Sequence, residues 1–138
     1  MKEYLQFYIN GEWVDPVEPR TLDVENPATE EPFATISLGS AADVDKAVAA
    51  AKAAFTTFSQ TSVEYRADLL DKITAGIQAR MGDMAEAISD EMGAPMWLAN
   101  AAQAPAAIGH FANTAAVLRD YEFEEVRGKT RREHYDGE

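Results

Sequence analysis

The chain contains no cysteine. That removes disulfides, thiolate metal sites and a cysteine nucleophile from the chemistry its own 138 residues can perform. Basic residues are scarce as well: 12 Lys and Arg stand against 24 Asp and Glu, a net charge of −12 at pH 7. Such a surface repels phosphate backbones rather than neutralising them, so no nucleic acid is expected as a partner. Long apolar runs are missing too. No stretch approaches the ~18 consecutive residues that span a bilayer, and Met1-Lys2-Glu3-Tyr4 lacks the charged-then-apolar pattern of a secretory signal. A soluble, cytoplasmic protein with no membrane association is expected.

The motifs of cofactor and catalytic sites are equally sparse. Gly76, Gly82, Gly93 and Gly109 are scattered, with neither Gly-x-Gly-x-x-Gly nor a phosphate-loop Lys-Ser/Thr among them. No Gly-x-Ser-x-Gly elbow surrounds a serine, and Ser37, Ser40, Ser59, Ser62 and Ser89 read as caps and solvent-facing positions. His110 has no His, Asp or Glu three or four residues away to complete a metal pair and reads as a packing or surface histidine. His134 lies among tail charges, where Glu133 and Asp136 are too loosely spaced to specify a ligand set. The acidic pairs Asp43 and Asp45, Glu30 and Glu31, and Glu124 and Glu125 suggest acid–base carboxylates, but such near neighbours do not face each other on a helix or strand. Trp13, Trp97, Met81, Met84, Met92 and Met96 read as packing and gap-filling groups. No catalytic, cofactor-binding or metal residue is assigned within this chain.

What is present suits one globular unit: 46% hydrophobic and 26% charged residues, with an apolar share heavy in alanine. Alanine fills little volume, so the core is expected to be modest, and a domain of this size buries only roughly two-thirds of its unfolded surface. The first third favours strands. Gln6 to Ile9 and Glu12 to Val14 flank Asn10-Gly11, the strongest two-residue hairpin signal, so Asn10 is a turn residue and not a catalytic amide. A second extended pair is predicted at Thr21 to Glu25 and Pro32 to Ser37, joined through Asn26-Pro27, where the proline pushes Asn26 out of the helical region.

From Ser40 the period becomes that of a helix. Val44, Ala47, Val48, Ala51, Phe55 and Phe58 form one apolar stripe, opened by a capping box of Ser40 and Asp43. Thr61 with Glu64 repeats that signature ahead of a second helix over about 62–80, carrying Leu69, Leu70, Ile73 and Ile77. A third, Asp83 to Met92, ends at Gly93 as a left-handed cap. Pro95 suits the first turn of a fourth, and Pro105 requires that helix either to bend near Ala102 or to restart around Ala104. Ile108, Phe111, Ala115 and Leu118 mark one face up to Tyr121. Residues 122–138 are charged and aperiodic, with a basic cluster from Arg127 to Arg132.

Four stretches, in order, carry a resemblance: Phe7-Tyr8-Ile9-Asn10-Gly11-Glu12-Trp13-Val14, Val24-Glu25-Asn26-Pro27-Ala28-Thr29-Glu30, Ser40 to Phe55, and Glu91-Met92-Gly93-Ala94-Pro95. Over residues 5 to about 121 the chain resembles the opening of an aldehyde dehydrogenase. The resemblance implies an α/β fold, here the helix-dominated N-terminal part of the nucleotide-binding domain over residues 1–121, with strands in the first third. It also implies that the tail, 122–138, enters a strand of the ribbon through which subunits pair, whereas its charge pattern by itself reads as a frayed, solvated terminus. The parent activity it implies is oxidation of an aldehyde to an acid. A cysteine thiolate attacks the carbonyl, hydride passes to NAD or NADP, and glutamate-activated water releases the acid. The family's Pro-Trp-Asn segment, glutamate base and cysteine do not occur in this sequence, so no cofactor is expected on this chain alone and its role is expected to be scaffolding. The implied partner is the remainder of an aldehyde dehydrogenase or another subunit. The apolar helical stripes also allow a stand-alone interaction module that docks onto a full-length dehydrogenase or a complementary chain.

Overall fold

The computed structural model describes residues 1–133. His134 and Asp136, and with them the metal reading of the tail, lie outside the described residues. The order is β1 (Lys2–Tyr4), β2 (Phe7–Ile9), β3 (Glu12–Val14), β4 (Thr21–Asn26) and β5 (Glu31–Ser37). Then come α1 (Ala41–Phe58), α2 (Val63–Ala79), α3 (Met81–Met92), a single turn α4 (Met96–Leu98), a π-helical segment (Ala99–Gln103), α5 (Ala104–Asp120), β6 (Glu124–Arg127) and β7 (Thr130–Glu133). This is the mixed α/β plan expected from the sequence, helix-dominated, with β1 to β5 in the first third; β6 and β7 add a further antiparallel pair in the tail, whose charge pattern alone reads as frayed.

β2 and β3 form the hairpin that Asn10-Gly11 predicts. Both turn residues are left-handed, φ 55° at Asn10 and 83° at Gly11, as a type I′ turn requires, and the register sets Tyr8 opposite Trp13. Their rings meet at 5.2 Å. Phe7 faces the other way, toward Gly39, where a Cβ would stand 3.6 Å from the ring.

β4 and β5 pair antiparallel. At their turn the Asn26 side-chain oxygen accepts from the Ala28 N–H (2.9 Å), and the Asn26 carbonyl accepts from the Thr29 and Glu30 N–H groups (3.2 and 2.8 Å). The sequence gives no sign of β1, which lies parallel to β5 on its far side and completes a three-stranded sheet in the order β1-β5-β4.

Each helix start has a local cause. At α1 the Asp43 N–H donates to Ser40 Oγ (3.4 Å) and the Ser40 N–H donates to Asp43 Oδ2 (2.8 Å), the reciprocal box expected. At α2 the cap is Ser62, whose Oγ accepts from the Tyr65 N–H (3.1 Å), and not Thr61. Thr61 Oγ1 donates backward to the Phe58 carbonyl (2.7 Å), so that residue closes α1 instead of opening α2. α3 begins at Met81, two residues ahead of Asp83, and ends at Gly93 in the left-handed conformation, φ 69°. Pro95 precedes the next helix as its extended N-cap, ψ 137°, one position before the expected first turn. Pro105 then falls in the first turn of α5, where an N–H is not needed, and the wider π segment just before it absorbs the ring.

α2 and α5 make the most extensive helix contact. Their buried residues are alanines, Ala67 on α2 and Ala104 and Ala115 on α5. Arg119 on α5 reaches back to Asp71 (2.7 Å) and Asp68 (3.2 Å) on α2. A second cluster gathers Ala85, Ala99 and Ala104 beneath Met81, Met84 and Ile88. Among the described residues no large side chain is fully buried, which is the modest core that an alanine-rich composition predicts. Met81 and Met84 do fill gaps. Trp13, Trp97, Met92 and Met96 do not, for they stand exposed, and the apolar stripe of α1, apart from half-buried Ala47, also faces outward.

Candidate functional site

The candidate residues are dispersed across the fold. His110 is exposed on α5, and its carbonyl accepts from Thr114 Oγ1 (2.8 Å) within the helix. Among the described residues no three His, Asp or Glu side chains converge to hold a metal ion. Ser40 and Ser62 cap helices, Ser59 ends α1, and Ser37 Oγ donates to the Leu5 carbonyl (2.7 Å), tying β5 to the segment after β1. Each of these serines has a structural employment.

The acidic pairs separate in the same way. Glu30 sits in a left-handed turn, φ 59°, and Glu31 opens β5. Glu125 accepts from Arg127 Nε (2.7 Å) within β6. Asp45 is exposed, whereas Asp43 is buried and accepts from the Ser40 N–H, from Ser40 Oγ (2.8 Å) and from the Val17 N–H (2.9 Å). The bond from Val17 holds the β3–β4 loop against the start of α1. These hydrogen bonds, those from the Ser40 and Val17 backbone first, hold the Asp43 carboxyl below its ordinary value. The hydrogen bond to Asp71 raises Arg119 further above its already high value. Both shifts come from groups that fasten one element to another, the structural cause of a perturbed pKa that competes with a catalytic one.

Open concavities lie on the surface of the described residues. One, about 550 Å³ between α2 and α3, is lined by Ile73, Ile77, Met84 and Ala87, with Arg80 and Asp83 paired to each other at 3.1 Å. Another, about 350 Å³, lies between β1 and β3 and is lined by Tyr4, Leu5, Gln6 and Trp13 with Glu3. Neither brings a nucleophile beside a base, the minimum for covalent catalysis.

The architecture is a helix-dominated mixed α/β unit, and comparison with known proteins says to which family it belongs. The aldehyde dehydrogenase family pattern matches residues 13–136, and the chain belongs to that family. It is 47% identical over 132 residues to the 3-succinoylsemialdehyde-pyridine dehydrogenase of a Pseudomonas species, a match spanning 95% of this chain and 28% of that enzyme. An aldehyde dehydrogenase from Bartonella henselae superposes with a TM-score of 0.89 at 43% identity, covering 94% of this chain and 28% of its own. Aldehyde dehydrogenase C of Pseudomonas syringae, solved as a cysteine-to-alanine mutant with NAD+ and octanal, gives the same TM-score of 0.89 at 47% identity over 91% of this chain and 26% of its own. The chain thus spans little more than a quarter of the relatives it matches, on their N-terminal side. The match also runs past Tyr121 and takes in the β6–β7 hairpin.

Proposed function

We propose that this chain serves as the N-terminal structural portion of an NAD-dependent aldehyde dehydrogenase that converts an aldehyde to a carboxylic acid, and that its 138 residues by themselves perform no such oxidation. The observation that carries this reading is the pairing of a backbone that matches the Bartonella henselae aldehyde dehydrogenase at a TM-score of 0.89 with a sequence that has no cysteine. The thiolate that would attack the aldehyde must come from outside these residues, and NAD+ bound in the Pseudomonas syringae relative supports NAD as the cofactor of the assembled enzyme. Residues 1–121 brace the cofactor fold, and the tail from residue 122, through β6 and β7, leads into a subunit-pairing ribbon.

A chimera tests the reading: the matched 28% of the Pseudomonas dehydrogenase is replaced by this chain and the rest of that enzyme is kept. NAD-dependent aldehyde oxidation of the same order as the parent is expected. A soluble, folded chimera without activity overturns the proposal. The second reading, a stand-alone docking module, is favoured by the outward apolar face of α1. A product of 15.1 kDa recovered from native cells through a tag at Met1 would support it.

A further inference from the structure

We propose that Asn10 is a site of spontaneous covalent modification, where the chain loses ammonia through a succinimide and is left with aspartate or isoaspartate. Asparagine cyclises when the backbone nitrogen of the next residue reaches its side-chain carbonyl carbon. That nitrogen here belongs to Gly11, which has no Cβ to obstruct the approach, and nothing lies within 4 Å of where a Cβ would stand. Both residues are exposed at the tip of the β2–β3 hairpin. Pairing of the two strands stops at Ile9 and Glu12, so the Gly11 N–H stands outside the ladder. The Asn10 side chain makes no hydrogen bond among the described residues.

The other asparagines fail these conditions. Asn26 is followed by Pro27, which has no N–H to give up, and its Oδ1 already accepts from the Ala28 N–H at 2.9 Å. Asn100 lies in the π segment, with Nδ2 donating to the Met96 carbonyl at 2.8 Å. Asn113 lies inside α5, where the next N–H belongs to the helix ladder and the next residue, Thr114, is β-branched.

The reaction balances with water alone. The Gly11 nitrogen gives its proton to solvent base and bonds to Asn10 Cγ, the Cγ–Nδ2 bond breaks, and ammonia leaves. Water then opens the ring on either side of that nitrogen, giving aspartate or, with the backbone rerouted through the side chain, isoaspartate. Either product adds one negative charge. Isoaspartate also adds a methylene to the two-residue loop that fixes Tyr8 opposite Trp13. Ring closure needs a different Asn10 ψ from that of a type I′ turn, so the hairpin must open first. A two-stranded hairpin with three-residue strands opens at little cost.

The test incubates the purified chain at neutral and at mildly alkaline pH and follows Asn10, Asn26, Asn100 and Asn113 by peptide mapping, in which aspartate and isoaspartate peptides separate. Asn10 is expected to convert about tenfold or more faster than the other three, with isoaspartate among its products. The rate is expected to rise with pH, because the attacking nitrogen must lose its proton. A native chain that keeps its Asn10 amide while the same chain in urea loses it overturns the proposal, since the turn then protects the residue. Conversion to aspartate without isoaspartate, the mark of direct hydrolysis, overturns it as well, and so does an equal rate at Asn113.

Discussion

Three donors converge on the Asp43 carboxylate, the Ser40 N–H, Ser40 Oγ and the Val17 N–H, and their consequence is a pH dependence with a definite sign. Its pKa lies below 3.8 in the folded chain because the hydrogen bonds, chiefly those from the Ser40 and Val17 backbone, favour the ionised form. A group depressed in this way contributes stability that is fully present above its unfolded value and is lost as pH falls through its folded value. The chain is therefore more stable than its Asp43→Asn variant by a constant margin at neutral pH, and the margin narrows below pH 3.8. Urea melts of both proteins over an acid series check this. A margin that persists undiminished at the acid end contradicts it. Half of the arrangement is legible in the sequence, since Ser40 and Asp43 carry the spacing of a capping box. The bond from Val17, 26 residues away, is not, because a backbone donor in a loop leaves no mark on side-chain pattern.

At the scale of elements, Gly93 joins two of them. It ends α3 with φ 69°, and a Cβ there would come within 2.9 Å of Pro27 Cγ, in the turn between β4 and β5. Gly93→Ala meets both the left-handed backbone cost, about 1–2 kcal/mol, and that collision, so a loss of at least that size is expected in chemical denaturation. Wild-type stability in the variant would show that the α3 end is not held against the turn.

The α2–α5 contact makes a different prediction, because its buried residues are already small. Ala67 is fully buried, and Ala67→Leu overpacks the contact, with an expected cost of about 1–3 kcal/mol. Arg119→Met, which removes a partly exposed ion pair, costs less than about 1 kcal/mol. The reverse order would place the strength of the contact in its charges.

The elements that the sequence announces are those with local causes: the Asn10-Gly11 hairpin, the Asn26-Pro27 turn, the capping box and Gly93. β1 escapes because three residues are too few for a period and its partner, β5, lies beyond the β2–β3 hairpin and β4. The choice of Ser62 over Thr61 as cap escapes because both offer a hydroxyl near the right position and only the geometry of the α1 end decides between them. The π segment is half announced, for Pro105 demands an adjustment without specifying its form.

At the scale of the whole molecule, large apolar side chains of the α1 stripe stand exposed, as do Trp13, Trp97, Met92 and Met96. Apolar periodicity tells which residues share a face but not whether this chain supplies the cover, so the stripe is legible in sequence and its exposure is not. The same division holds for function. The four family stretches announce the aldehyde dehydrogenase family from residues alone, and the absence of cysteine removes a cysteine nucleophile from these 138 residues. Among the described residues no helix is long and apolar enough to cross a membrane.

The most direct measurement is the absorbance of NADH formed by the purified 138-residue chain supplied with octanal and NAD+. The account predicts no formation above the enzyme-free rate at any chain concentration. Turnover that scales with chain concentration, and that survives repurification, would contradict it.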